Sequence, residues 1–296
     1  MKEGDEKRWT LKGRSALVTG ASKGIGYTYA TSTHTESQAC TRILKCPFSF
    51  CRRAIAEELA QLGASVYVCA RSENELNQRL QEWKNAGLPI YGSACDVSIH
   101  SSREQLMAEV SKQFQNKLDI LVNNAGRIGR IMCTVDVPFD DMWLTMRTNF
   151  ESAIHLSRLA HPLLKASGAG NIVLISSIAG SQAVGSSTCV YQCTKGALNQ
   201  LTRSLAFEWA KDGIRVNAIA PGFIETDMLN AVGDERRNLI ERRIPLRRFG
   251  EGPEIAATVA FLCMPCSAYT TGSIVTIDGG LTCHQSSEAC SNIEAK

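Results

Sequence analysis

The chain has 296 residues, 44% hydrophobic and 21% charged, with a formal net charge of +3. That composition suits a globular protein, and the positive excess is too small and too dispersed to argue for nucleic acid or an anionic membrane as partner. No run of roughly 18 apolar residues occurs, and Met1-Lys2-Glu3-Gly4-Asp5-Glu6-Lys7-Arg8 lacks the apolar core of a secretory signal, so the cytoplasm is the expected compartment.

In a reducing compartment the twelve cysteines are expected to be thiols, several buried in strands, such as Cys69 and Cys95. Cys263 and Cys266 have ligand-like spacing, but no second Cys or His pair accompanies them, so helix-end packing is expected and no metal. Arg236-Arg237 and Arg242-Arg243 read as a solvated helix face.

The first predicted strand is Ser15 to Gly20, a short apolar run ending in glycine. Thr19-Gly20-Ala21-Ser22-Lys23-Gly24-Ile25-Gly26 follows. Glycines at 20, 24 and 26 let backbone amides approach a phosphate, and a helix N-terminus behind them favours negative charge. This is a dinucleotide-type turn with glycine spacing wider than the usual fingerprint. The helix expected next appears only at Ala54 to Gly63; Thr28 to Arg53 between them is rich in Thr, Ser and Cys and has little helical periodicity.

A second strand, Ser65 to Arg71, ends without the Asp or Glu that nicotinamide-binding folds place there for a ribose hydroxyl. Arg71, with Lys23, therefore favours NADP over NAD. A helix at about 73–86 leads to a third strand, Ile90 to Val97, whose end places Asp96 where it can meet an adenine amino group. Asp119 to Gly126 is the fourth strand; its Asn123-Asn124-Ala125-Gly126 end supplies amides that tie strands together and a glycine that lets a cofactor pass closely.

A long helical pattern runs from Phe139 to Ser167 with Asn149 inside it, where asparagine usually sits on the surface. Three further strands are expected at Asn171 to Ser177, Ile214 to Gly222 and Ser273 to Gly280. The alternation predicts an α/β, doubly wound, Rossmann-like fold: a seven-stranded parallel sheet with helices on both faces. Gly20, Arg71, Asp96, Asn123, Ser177 and Pro221 all fall at or just past strand ends, where such sheets bind ligands.

Tyr191-Gln192-Cys193-Thr194-Lys195 begins the helix after the fifth strand. Residues four apart share a helix face, so the phenol and the ammonium point into one site. Free tyrosine and lysine titrate at about 10 and about 10.4, and a nearby ammonium favours the phenolate, which suits Tyr191 to proton transfer.

With these residues assembled, the chain resembles the short-chain dehydrogenase/reductase family, closest to its tropinone reductase-like group. The likeness rests on Leu17-Val18-Thr19-Gly20, Asn149-Phe150-Glu151, Lys195-Gly196-Ala197-Leu198-Asn199-Gln200-Leu201 and Phe261-Leu262-Cys263-Met264-Pro265, and it covers roughly residues 8–27 and 54–282. It implies a single domain over 8–282 and a catalytic tetrad of Asn149, Ser177, Tyr191 and Lys195. In that tetrad Tyr191 gives a proton to a carbonyl oxygen as the nicotinamide gives hydride to its carbon. Ser177 holds the oxygen, Lys195 assists Tyr191 and binds ribose hydroxyls, and Asn149 positions a water.

The resemblance also implies NADP(H) contacts at Gly20, Ser22, Lys23, Gly24, Ile25, Gly26, Arg71, Ser72, Asp96, Val97, Asn123, Ala125, Gly126, Pro221, Gly222, Ile224 and Thr226. It implies a substrate lid over Phe223 to Ile244, a small carbonyl or alcohol substrate of tropinone-like kind, and homodimers or homotetramers formed through the helices near 139–168 and 191–212.

Three departures stand out. Ser177 and Tyr191 lie one residue further apart than is usual, so either the loop between them carries one extra residue or Ser176 partly substitutes for Ser177, with Ser177 favoured. The tail after Thr282 is polar, unlike the family's short ending, and disorder is expected there. Joining Tyr27 directly to Ala54 restores a continuous family-like segment, so residues 28–53 are surplus. Cys46-Pro47-Phe48-Ser49-Phe50-Cys51-Arg52 is what pyrimidine-rich codons before a splice acceptor would encode, and the segment is read as largely translated intron; a genuine inserted loop is the alternative. The functional counterpart is an NADP-dependent carbonyl reductase, or else an impaired isoform, its cofactor turn broken by the insertion, that acts only through protein contacts.

Overall fold

The computed structural model describes residues 7–20, 49–184, 187–225 and 234–283. Seven parallel strands lie in the order β3-β2-β1-β4-β5-β6-β7, with β1 at Ser15–Thr19, β2 at Ser65–Ala70, β3 at Ile90–Ala94, β4 at Ile120–Asn123, β5 at Asn171–Ile175, β6 at Arg215–Pro221 and β7 at Ile274–Ile277. The α-helices are α1 Ser49–Gln61, α2 Glu73–Asn85, α3 His100–Gln113, α4 Phe139–Met146, α5 Ser152–Ser167, α6 Cys189–Trp209, α7 Asp234–Arg243 and α8 Gly252–Cys263. This is the expected α/β doubly wound, Rossmann-like arrangement. The order reverses between β1 and β4, which opens a crevice at their carboxyl ends.

Two-residue periodicity separates the layers. In β1, Ala16 and Val18 join Ile55, Leu59, Leu76, Ile255 and Val259 of α1, α2 and α8 on one face. Leu17, pointing the other way, joins Leu106, Leu156, Leu174, Leu198 and Leu205 in the core beneath α3, α5 and α6. Leu156, Leu163 and Leu164 are buried there and Leu159 packs against them, so these leucines are spent on the chain's own core.

Strands β1 and β4 are tied at both ends. At the amino end Asp119 accepts from Ser15 N at 2.9 Å and from Arg14 Nη1 at 2.7 Å. At the carboxyl end Thr19 Oγ1 accepts from the amides of Asn124 and Ala125, each at 3.0 Å, while Asn124 Nδ2 donates to Thr19 O at 2.7 Å. These bonds satisfy backbone groups where the ladder stops and hold the crevice open at a fixed width.

Local chemistry sets several boundaries. Ser72 caps α2, its Oγ accepting from Glu75 N. A reciprocal Glu251 and Glu254 capping box starts α8, and Gly168, at φ 74°, ends α5. Cys263 is buried at the end of α8, where burial pushes its thiol up to about 12; it and Cys266 serve packing, as expected. Cys69 and Cys95 are also buried free thiols, and hydrogen bonding to Cys69, with burial, pushes Cys95 up.

Four expectations need correction. Helix α1 starts at Ser49 instead of Ala54, so the end of the surplus segment is helical; nothing after Pro47 breaks a helix, and Arg53 pairs with Glu57 at 2.6 Å one turn on. The third strand stops at Ala94, because Asp96 turns the chain by accepting from Ser98 N. The long helix over 139–167 is interrupted by a π-helical turn, Arg147–Glu151. Arg237 of α7 is more than a solvated residue: its guanidinium bonds Glu225 at 2.5 Å and lies 4.8 Å from the Phe249 ring centre. The tail beyond Cys283 lies outside the described residues. Among the described residues no helix is long and apolar enough to cross a membrane.

Candidate active site

Helix α6 carries Tyr191 and Lys195 on one inward face, both buried. Lys195 is 2% exposed, and its Nζ donates to Ile175 O, the last residue of β5, at 2.6 Å. The same ammonium lies 5.6 Å from the centre of the Tyr191 ring. A buried ammonium is costly unless it is hydrogen-bonded, and the strand end supplies that bond while aiming the charge at the phenol.

Asn149 sits in the π-helical turn and is 1% exposed, contrary to the surface position usual for a mid-helix asparagine. Its Nδ2 donates to Arg127 O at 2.8 Å and Thr194 Oγ1 at 3.0 Å, and its Oδ1 accepts from Arg127 N at 2.8 Å. The wider turn lets the amide reach both the segment after β4 and helix α6, and such π turns are frequent at functional sites. The Arg127 side chain locks that segment to α4 through Asp141 at 2.5 Å.

The two serines divide their tasks. Ser176 is fully buried, with Oγ donating to Asn199 Oδ1 at 2.6 Å and contacting Lys195 O at 3.1 Å, so it is committed to holding α6. Ser177 begins the 3-10 turn Ile178–Gly180, where its Oγ accepts from Ala179 N at 3.2 Å. Ser176 is therefore a poor substitute for Ser177.

Gly180 packs that turn onto α6. A Cβ there would lie 2.6 Å from Lys195 C and 2.7 Å from Lys195 O, both backbone atoms that cannot swing away. Gly180→Ala is expected to destabilise the fold by about 1–3 kcal/mol, the usual range for overpacking. Urea denaturation measures this, and an unchanged midpoint would mean that α6 has slack.

Gly20 has φ +74°, and a Cβ on it would approach Ala125 Cα to 3.0 Å, so the end of β1 is a closely built glycine cradle. A Cβ placed on Gly126 would fall 3.6 Å from Asn149 Oδ1 and 3.7 Å from Lys195 Nζ, so the backbone at Gly126 runs close beside both side chains. Asn123 ties β4 to α5 by donating to Ser157 Oγ at 3.0 Å, while the buried Oδ1 atoms of Asn123 and Asn124 have no partner among the described residues. These features fit a bound group with hydrogen-bond donors.

The remaining predicted contacts that fall among the described residues follow the carboxyl ends of their strands. Arg71 is exposed just past β2, and Ser72 caps α2. Asp96 and the buried Val97 follow β3. Pro221 ends β6, Gly222 abuts Asp278, where a Cβ would lie 2.7 Å from the Asp278 Cβ, and Ile224 is buried and bridges to Gly250. Ser22, Lys23, Gly24, Ile25, Gly26 and Thr226 lie outside the described residues. The supporting roles of Thr19, Arg127, Asp141, Ser176 and Gly180 escaped sequence reasoning, because each depends on a partner distant in the chain.

Comparison with known proteins agrees with this geometry. The family model described as enoyl-(acyl carrier protein) reductase matches residues 52–282. A tropinone reductase homolog of Arabidopsis thaliana is 49% identical over 93% of this chain and 94% of its own length. Among solved structures, a gluconate 5-dehydrogenase of Burkholderia cenocepacia in complex with NADP and tartrate superposes with a TM-score of 0.80 at 27% identity, covering 95% of this chain and 100% of that one. A 7 alpha-hydroxysteroid dehydrogenase complexed with NADH and 7-oxo glycochenodeoxycholic acid gives 0.79 at 30% identity, covering 95% and 98%. With the parallel sheet, the strand-end crevice and the buried tyrosine and lysine of α6 on the same scaffold, the chain belongs to the short-chain dehydrogenase/reductase family of NAD(P)-dependent oxidoreductases, in its tropinone reductase-like group.

Proposed function

We propose that this chain is an NADPH-dependent reductase of a small, partly apolar ketone of tropinone-like kind, with residues 8–282 as its catalytic domain. The observation that carries this reading is the Lys195 ammonium, buried and aimed at the Tyr191 ring from a strand end. Bound NADPH supplies the hydride to the carbonyl carbon. Tyr191 gives its phenolic proton to the carbonyl oxygen, and Lys195 stabilises the phenolate left behind. Ser177 donates to the same oxygen as charge grows there. Asn149, held by Thr194 and Arg127, positions a water that returns a proton toward Lys195.

Gly20, Gly126 and the glycines of the turn at 20–26 give the cofactor its close approach, with Ser22, Lys23, Ile25, Ser72, Asp96, Val97, Asn123, Ala125, Pro221, Gly222, Ile224 and Thr226 around it. Residues 223–244 form the lid that selects the substrate. Copies associate through α5 and α6, whose exposed Ile154 and Phe207, the latter 91% exposed, favour such contact. A role through protein contacts alone finds no support in relatives named as reductases and dehydrogenases.

Arg71 carries the preference for NADPH. Charge-assisted hydrogen bonds contribute about 1.5–3 kcal/mol, so Arg71→Ala is expected to weaken NADPH about tenfold to a hundredfold and to leave NADH unchanged. The check is cofactor oxidation with each nucleotide over a panel of monocyclic and bicyclic ketones that includes tropinone. Equal loss for both cofactors would remove Arg71 from 2′-phosphate recognition, and no turnover of any ketone would remove the substrate class.

A further inference from the structure

We propose that His100, Glu104 and His155 form a surface site for one divalent transition-metal ion of the zinc class, bridging α3 to α5. His100 and Glu104 stand one helical turn apart on α3, with His100 Nδ1 3.6 Å from Glu104 Oε2. His155 reaches them from the first turn of α5, its ring stacked on that of His100 with centroids 4.1 Å apart and planes 28° apart. One ligand atom from each of the three lies within 4.8 Å of the others, and among the described residues no other group of His, Cys, Asp or Glu comes together in this way. Bonds of about 2.0–2.1 Å to a tetrahedral ion put its ligand atoms roughly 3.4 Å apart. Closing that difference requires rotation of the exposed His100 and Glu104 side chains, while α3 and α5 are already held together by Leu106, Val110, Leu156 and Ala160 in one core.

His155 Nδ1 is buried and has no hydrogen-bond partner among the described residues. A buried ring nitrogen left unpaired is unfavourable, and a metal ion resolves it. Burial, with the neighbouring Arg103 charge and His100, holds the His155 pKa below its ordinary value. The fully buried Arg103 pairs with Glu151 through Nη2 at 2.6 Å, while its Nε and Nη1 have no hydrogen-bond partner among the described residues. Two imidazoles and one carboxylate suit zinc-like ions better than magnesium or calcium, which prefer all-oxygen sites.

The test uses the full chain, titrated with Zn2+ by calorimetry and with Co2+ by absorbance. The expected result is one ion per chain, a cobalt spectrum without a thiolate charge-transfer band, and a melting temperature raised by Zn2+. Loss of a ligand is expected to weaken binding by about tenfold or more. His100→Ala with His155→Ala removes two ligands, and Glu104→Gln, an isosteric change at an exposed position, removes the third without risk to the fold. No binding by the native chain, stoichiometric binding unchanged in these variants, or a thiolate band showing that cysteines hold the ion would each overturn the proposal.

Discussion

A chain lacking residues 28–53 is expected to bind NADPH about a hundredfold more tightly than the full chain. The reason lies at the start of α1. The helix begins at Ser49, so the positions immediately before Ala54 are filled by Ser49-Phe50-Cys51-Arg52-Arg53. In the shortened chain the same positions fall to Lys23-Gly24-Ile25-Gly26-Tyr27, and two glycines then stand at the head of the helix. Amides there point at a phosphate and carry the positive end of the helix dipole, and glycine lets the phosphate approach them closely.

Two charge-assisted bonds at about 1.5 kcal/mol each, the low end of their range, correspond to roughly a hundredfold in affinity. The body of α1 is anchored regardless, since Ile55, Ala56 and Leu59 sit in the core and Glu57 accepts from Trp83 Nε1 at 2.7 Å. The insertion should therefore spare the fold and act on the turn. Fluorescence titration of both proteins with NADPH decides the matter. Equal affinities would mean that the insert loops out harmlessly at an entropic cost of only a few kcal/mol. Genomic sequence with splice signals at both edges would support a retained intron as its source.

Tyr191→Phe is expected to lower kcat by about 10²–10⁴-fold, the usual worth of general acid catalysis, and to leave NADPH affinity unchanged. Removing one hydroxyl keeps the ring in its buried place, so the loss reports proton transfer alone. Lys195→Met should reduce kcat as strongly and also weaken NADPH, because the proposal gives this lysine both the phenolate and the ribose hydroxyls. It also deletes the bond to Ile175 O at the end of β5. Steady-state kinetics with a cofactor titration separates the two variants. Turnover by Tyr191→Phe within tenfold of the native chain would assign the proton to another donor, and unchanged NADPH affinity in Lys195→Met would take this residue out of the cofactor site. Both measurements belong in the chain without residues 28–53 if the full chain binds too weakly.

Short, largely apolar runs such as Ser15–Thr19 and Asn171–Ile175, and the alternation of strand with helix, determined the doubly wound sheet, because such runs are local features that fit strands buried on both faces. The spacing of Tyr191 and Lys195 determined that they share a helix face for the same local reason.

Tertiary structure decided the rest. Asn149 is buried because a π turn brings it to Arg127 and Thr194, partners 22 and 45 residues away. Ser177 is set apart from Ser176 only because Asn199 captures the latter. Arg103, unremarkable on a helix, is fully buried against Glu151, and His155 meets His100 only where two helices cross. Even the start of α1 belongs here, since a stretch with little periodicity of its own becomes helical where it extends a helix already fixed by the core. Periodicity is carried by near neighbours in sequence, whereas pairing between distant residues exists only once the sheet has brought them together.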